Sequence, residues 1–222
     1  MLITKHFVFV HLQKTGGSFV QQVCERHLPP GWLVPNDLGD HASFHQIPPQ
    51  HRHLPVFALV RNPWDWYVSW YHFTVQKPVE PADEAPDSIW VQLFDRGHRD
   101  FGAAVTAACE GISATAGPPP RYLLALRERD WDLYTLWYWM LVGRGVAEGR
   151  VDVGRTESLR EDFTAFLERH QIPGDDFLAA VRSAPATNTS RRGDYRGYYD
   201  DALRDLVGHK ARLIVEQYGY SF

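Results

Sequence analysis

Lys14-Thr15-Gly16-Gly17-Ser18 is the segment whose residue types most directly predict chemistry. It follows the apolar run Phe7-Val8-Phe9-Val10 and precedes Phe19, Val20, Val23 and Cys24 at helical spacing. Strand, glycine turn and helix in that order aim backbone N–H groups at one point, and the helix start adds its dipole there. Lys14 adds a full positive charge, Thr15 and Ser18 add hydroxyl donors, and two glycines let the backbone approach closely. This pattern predicts a pocket for a phosphate-like anion. It is not a Walker A sequence, in which the lysine follows the glycines. A β–α turn that needs glycine for geometry alone is the competing reading.

A second device of the same kind follows. Arg61 stands at the end of the apolar run Val56-Phe57-Ala58-Leu59-Val60. Asn62 reads as an N-cap, Pro63 as the first helical residue and Asp65 as its acidic third position, on a helix reaching about Phe73. Ser69 lies on that helix, eight residues after Arg61. The carboxyl ends of parallel strands face one crevice, so Arg61 and the Lys14 loop are expected to face the same ligand. Arginine offers a bidentate fork for a second phosphate, and Ser69 a hydroxyl.

These devices need strands that alternate with helices. Residues 6–12 and 56–60 read as buried strands and 151–154 as a short one. Helical patterns appear over 18–27, 88–95, 99–109, 130–142, 161–170 and 200–218. The last carries one apolar stripe of Leu203, Leu206, Val207, Leu213 and Ile214. Residues 28–55, rich in Pro, His and Gly, read as irregular connection. The acidic, Pro-rich segment 76–88 reads as a mobile loop, and 187–199 as a basic one. The alternation predicts an α/β fold of P-loop-like, three-layer type, with a central mainly parallel sheet flanked by helices. The length of 222 residues fits a single domain spanning 1–222.

Bulk properties narrow the function. A net charge of −4 gives no general nucleic-acid footprint, so any anion site is a local pocket. Two cysteines, Cys24 and Cys109, make no disulfide framework and fit a reducing compartment. No window holds the roughly 18 apolar residues of a membrane span, and the first residues do not form a signal peptide. Taken as complete, the chain reads as cytoplasmic; a trimmed one would hide an anchor. Trp64, Trp66, Tyr67, Trp70 and Tyr71 crowd one helix, and Trp131, Tyr134, Trp137, Tyr138 and Trp139 another. Most are expected in the core, with those at a cleft mouth available to stack on a ring.

The segment Phe9 to Ser18 resembles the 5′-phosphosulfate loop of sulfotransferases that use 3′-phosphoadenosine 5′-phosphosulfate (PAPS). Leu59 to Tyr71 is similar to their 3′-phosphate strand and helix. Arg155-Thr156-Glu157-Ser158-Leu159, Asn188 to Gly193, Tyr198-Tyr199 and Tyr218 to Phe222 resemble the late strand and tail of Golgi-type and bacterial carbohydrate members. About 80 residues carry the likeness; 74–150 do not. Gln13 departs from the family, which commonly has proline there. The resemblance implies Lys14 on the bridging oxygen and 5′-phosphate, with Thr15, Gly16, Gly17 and Ser18 around that phosphate. It implies Arg61 and Ser69 on the 3′-phosphate, with Arg192 and Gly193 closing over it and Arg191 as the competing choice.

The implied activity is O-sulfation of a carbohydrate, glycosylated or small-molecule acceptor, without metal. The acceptor must lose a proton, and histidine is the natural base. His41-Ala42-Ser43-Phe44 resembles the base segment of uronyl 2-O-sulfotransferases, which implies His41; His45, Glu80, Glu84 or no dedicated base are the alternatives. His41, His45, His51 and His53 make a poor metal set, because Pro48 and Pro49 oppose a helix there. Near Lys210–Glu216 the dimer motif of the phenol and steroid branch is not found, and oligomeric state is not readable. The competing classes are a P-loop nucleotide kinase and a non-catalytic nucleotide-binding module.

Overall fold

The computed structural model describes residues 1–76, 100–112, 121–185 and 193–222, with backbone alone for Val75 and Gln76. The chain divides into two compact units, Met1–Arg61 with Trp137–Thr189, and Asn62–Leu136 with Ser190–Phe222.

The first unit carries the sheet. Its strands are β1 (Leu2–Ile3), β2 (Val8–Val10), β3 (Val56–Val60) and β4 (Val151–Arg155), in the order β1-β2-β3-β4. β1 runs antiparallel to β2, while β2, β3 and β4 are parallel. Side chains alternate between faces along a strand. The register therefore puts Phe9, Phe57 and Leu59 on one face, and Val8, Val10, Val56 and Ala58 on the other. The phenylalanine face packs on helices α1 (Gly17–His27), α7 (Leu159–Arg169) and α8 (Asp175–Ser183). Phe57 stacks on Phe166 at 4.8 Å between ring centres. On the opposite face Val151 and Phe44 both close on Gly145, in the short helix α6 (Arg144–Ala147). Both faces are covered, as a buried parallel sheet requires.

The second unit is helical. It holds α2 (Pro63–Gln76), α3 (Phe101–Glu110), α4 (Arg121–Arg129), the start of α5 (Leu133–Tyr138), α9 (Asp201–Lys210) and α10 (Arg212–Tyr218). Asn62 caps α2 as expected: its Oδ1 accepts from the N–H groups of Trp64 at 3.0 Å and Asp65 at 3.4 Å. Trp66, Tyr67, Trp70 and Tyr134 are fully buried, with Trp66 stacked on Tyr134 at 4.5 Å. These aromatics are core, as their spacing predicts.

Several elements differ from the sequence reading. Strand β2 covers three residues of the predicted seven, because the chain turns into the glycine loop directly after Val10. The predicted helix 200–218 is two helices that break at Ala211, where Lys210 and Arg212 both turn to Asp130, at 2.8 and 2.9 Å. α4 and α8 were not anticipated. Each buries only two side chains on a charged surface, Leu123 and Leu126, or Phe177 and Val181. The expected helix 88–95 and the acidic loop beyond Gln76, with Glu80 and Glu84, lie outside the described residues. Cys24 and Cys109 are buried free thiols.

Candidate functional site

The glycine loop leaves β2 at Val10 and enters α1 at Gly17. Gly16 is the N-cap and has φ 89°, a left-handed conformation open to glycine. A Cβ there would also fall 2.5 Å from Leu159 Cδ1. Gly17 is required for a different reason: a Cβ would lie 2.0 Å from the ring of His11. Lys14 itself has φ 62°. A left-handed lysine costs roughly 1–2 kcal/mol, and such strain concentrates at functional sites.

The loop's own bonds hold this shape. Thr15 is fully buried, and its hydroxyl donates to the Leu12 carbonyl at 2.7 Å. The Thr15 hydroxyl, expected to serve an anion, here braces the turn. Arg61 Nη1 donates to the Lys14 carbonyl at 3.0 Å, so the end of β3 is tied to the loop as the parallel-sheet argument requires. Thr156, just past β4, places its hydroxyl 2.9 Å from the carbonyls of both Thr15 and Val60. One hydroxyl has one proton, shared between those acceptors. Asp162 fixes this corner by accepting from Arg155 N–H at 2.7 Å and the Ser158 hydroxyl at 2.8 Å. The carboxyl ends of three parallel strands thus converge on one loop.

The start of α1 is electrostatically open. Gly16 gives it no side-chain cap, and its first turn has no acidic residue. Helix N-termini carry unsatisfied N–H groups and a partial positive charge. With Lys14 and Arg61 beside it, this end of the first unit suits a phosphate or sulfate.

His41 is exposed, and its Nδ1 lies 2.9 Å from the His11 carbonyl. A carbonyl only accepts, so Nδ1 carries the proton and Nε2 of the neutral ring is the acceptor. The two imidazoles lie 4.7 Å apart, and His11 also stacks on Phe9 at 5.9 Å. Burial, and then the nearby His41, push the His11 pKa down to about 4. His11 is thus a neutral ring at ordinary pH and a poor base, while it covers Gly17 and anchors His41. His45 packs edge-on against Phe44. Among the described residues, no group of three or more His, Cys, Asp or Glu is arranged to hold a metal ion.

Ser69 lies half-buried on α2 in the second unit, and Gly193 is exposed in that unit. Arg191 and Arg192 fall outside the described residues. The sequence reading missed roles for His11 and Thr156. Both stand in segments it singled out, but a stacking histidine and a bridging threonine have no spacing signature.

No family model matches the chain, and no curated protein matches it. Among solved structures the chain is similar to the crystal structure of mouse sulfotransferase SULT7A1 complexed with PAP. The two are 16% identical with a TM-score of 0.53, over 97% of this chain and 88% of that one. At this identity the likeness concerns the fold: the chain has the P-loop-like α/β fold, with a mostly parallel sheet between helices, that this sulfotransferase has.

Proposed function

We propose that the chain is a PAPS-dependent O-sulfotransferase acting on a hydroxyl of a carbohydrate, glycosylated or small-molecule acceptor. The observation that carries this reading is the uncapped start of α1, with Lys14 in the left-handed turn before it and Arg61 and Thr156 tied to the same loop. The likeness to a sulfotransferase complexed with PAP supports the donor class.

In this reading the N–H groups of Gly16, Gly17 and Ser18 and the Ser18 hydroxyl hold the 5′-phosphate. Arg61 takes the 3′-phosphate, the role that the sequence resemblance also implies for Ser69, Arg192 and Gly193. The acceptor oxygen forms its bond to sulfur as the bond from sulfur to the 5′-phosphate oxygen breaks, and the electron pair leaves with the phosphate. Lys14 stabilises the charge that grows on that oxygen. His41 Nε2 takes the acceptor's proton, its ring held by the His11 carbonyl. No metal is required by this scheme, and the chain is proposed to act in the cytoplasm.

The test is transfer of labelled sulfate from PAPS to a panel of glycans, glycosides and phenols. Lys14→Ala is expected to lower kcat by about 10²–10³-fold. His41→Ala is expected to lower it by about 10²-fold or more with PAP affinity unchanged. Near-normal turnover in the histidine variant removes His41 from the mechanism. Magnesium-dependent ATP turnover supports a kinase instead, and PAP binding without transfer supports a non-catalytic module.

A further inference from the structure

A cavity of about 230 Å³ opens in the first unit beside the glycine loop. His11 and Gly17 form the wall it shares with that loop, and Asp40 brings it next to His41. A cavity of about 150 Å³ holds a benzene ring, so this one has room for one six-membered ring, with its substituents partly in the open mouth. Its character differs sharply from that of the loop. Its lining combines apolar Phe9, Leu33, Val34 and Leu38 with polar Gln21, Glu25, Asn36 and Asp40.

Gln21 and Glu25 follow Gly17 at intervals of four, so they form one stripe along α1. The Gln21 amide donates to the Glu25 carboxylate at 2.9 Å, which turns that carboxylate along the stripe. Asn36 folds its own loop, accepting from Leu38 N–H at 3.1 Å. Met1 also lines the cavity, and its amino nitrogen donates to the carbonyls of Gly39 and Asp40 at 2.8 and 2.5 Å. Among the described residues no lysine or arginine lines the cavity. Glu25 and Asp40, with no lysine or arginine among the lining residues, leave the lining net negative.

We propose that this cavity is the acceptor subsite, and that it takes a single ring that is uncharged or bears an amine while turning away carboxylated or sulfated rings. The proposal rests on the sulfotransferase reading for its word "acceptor". The apolar lining residues suit the C–H face of a sugar or similar ring. The amides and carboxylates suit hydroxyl and ammonium groups and repel a carboxylate. A polyanionic chain, such as a uronyl polymer, is disfavoured even though the His41 segment resembles enzymes that sulfate one.

The test titrates PAP-saturated protein with three methyl glycosides of one skeleton, a glucosaminide, a glucoside and a glucuronide, followed by ligand-observed NMR. The glucosaminide is expected to bind at least about fivefold more tightly than the glucuronide, the scale of two exposed charge pairs. Glu25→Gln with Asp40→Asn, both exposed positions, is expected to bring that ratio close to one. Leu38→Trp is expected to abolish binding of all three with PAP affinity retained. A glucuronide that binds as well as the glucosaminide overturns the proposal. So does a ratio unchanged in the double variant, or no binding by any of the three. PAP affinity is measured separately: if the wild type fails to bind PAP, the sulfotransferase reading fails, and the same titrations on the protein alone still decide the cavity's preference.

Discussion

Two helix starts in this molecule solve the same problem in opposite ways. At α5, Asp132 is fully buried, and its Oδ1 accepts the Thr135 N–H at 2.8 Å while Oδ2 accepts the Tyr67 hydroxyl at 3.0 Å. That helix brings its own anion. Burial raises the Asp132 pKa, and the bonds from Thr135 and Tyr67 pull it back. At α1 the cap is a glycine, no acid follows, and the backbone before it is held left-handed at Lys14 and Gly16. A helix start with an internal carboxylate is finished; one with a left-handed glycine cap and neighbouring cations is arranged for an anion from outside.

Removing the internal anion tests the first half. Asp132→Ala leaves two buried donors without their acceptor and is expected to cost about 3–5 kcal/mol, read from urea unfolding. PAP affinity of the folded fraction is expected to stay the same. Gly17→Ala tests the other half. The added methyl meets the His11 ring at 2.0 Å, so the ring must move. The expected cost is about 1–3 kcal/mol, together with loss of PAP binding in calorimetry. If Gly17→Ala keeps wild-type PAP affinity, the glycine serves the turn alone.

The pH dependence of stability sharpens the comparison on the α1 side. His11 has its folded pKa lowered from 6.5 to about 4, chiefly by burial. The unfolded chain therefore binds the proton first as pH falls, and stability present above pH 6.5 is lost progressively toward pH 4. The loss corresponds to about 2–3 kcal/mol. In urea titrations between pH 7 and 4, His11→Phe is expected to flatten this slope, and an unchanged slope would show that another group dominates it. The smallest effect is expected from Thr156→Val. This change removes one shared hydroxyl bond to the Thr15 and Val60 carbonyls. It is expected to cost about 1–2 kcal/mol in thermal unfolding and to weaken PAP binding through the loop.

The loop and its charge were legible in the sequence because glycine, lysine and strand patterns are local signals. Val56–Val60 and the Asn62 cap were legible for the same reason. The bond from the Thr15 hydroxyl to the Leu12 carbonyl has no local sequence signal and is seen only in the folded turn. His11 over Gly17, Thr156 between two strand ends and the break at Ala211 depend on contacts between residues far apart in sequence. No periodicity encodes such contacts. The cavity beside α1 is likewise built from the first strands, the 33–40 loop and a helix stripe, which only the fold brings together.

Calorimetric titration of the wild-type protein with PAP in the presence of EDTA, alongside ATP with magnesium, decides whether the α1 loop is a PAPS site. Saturable PAP binding at one site is expected, abolished by Gly17→Ala and weakened by Lys14→Ala, with ATP binding far more weakly. Absence of PAP binding, or tighter binding of magnesium–ATP, would contradict that assignment.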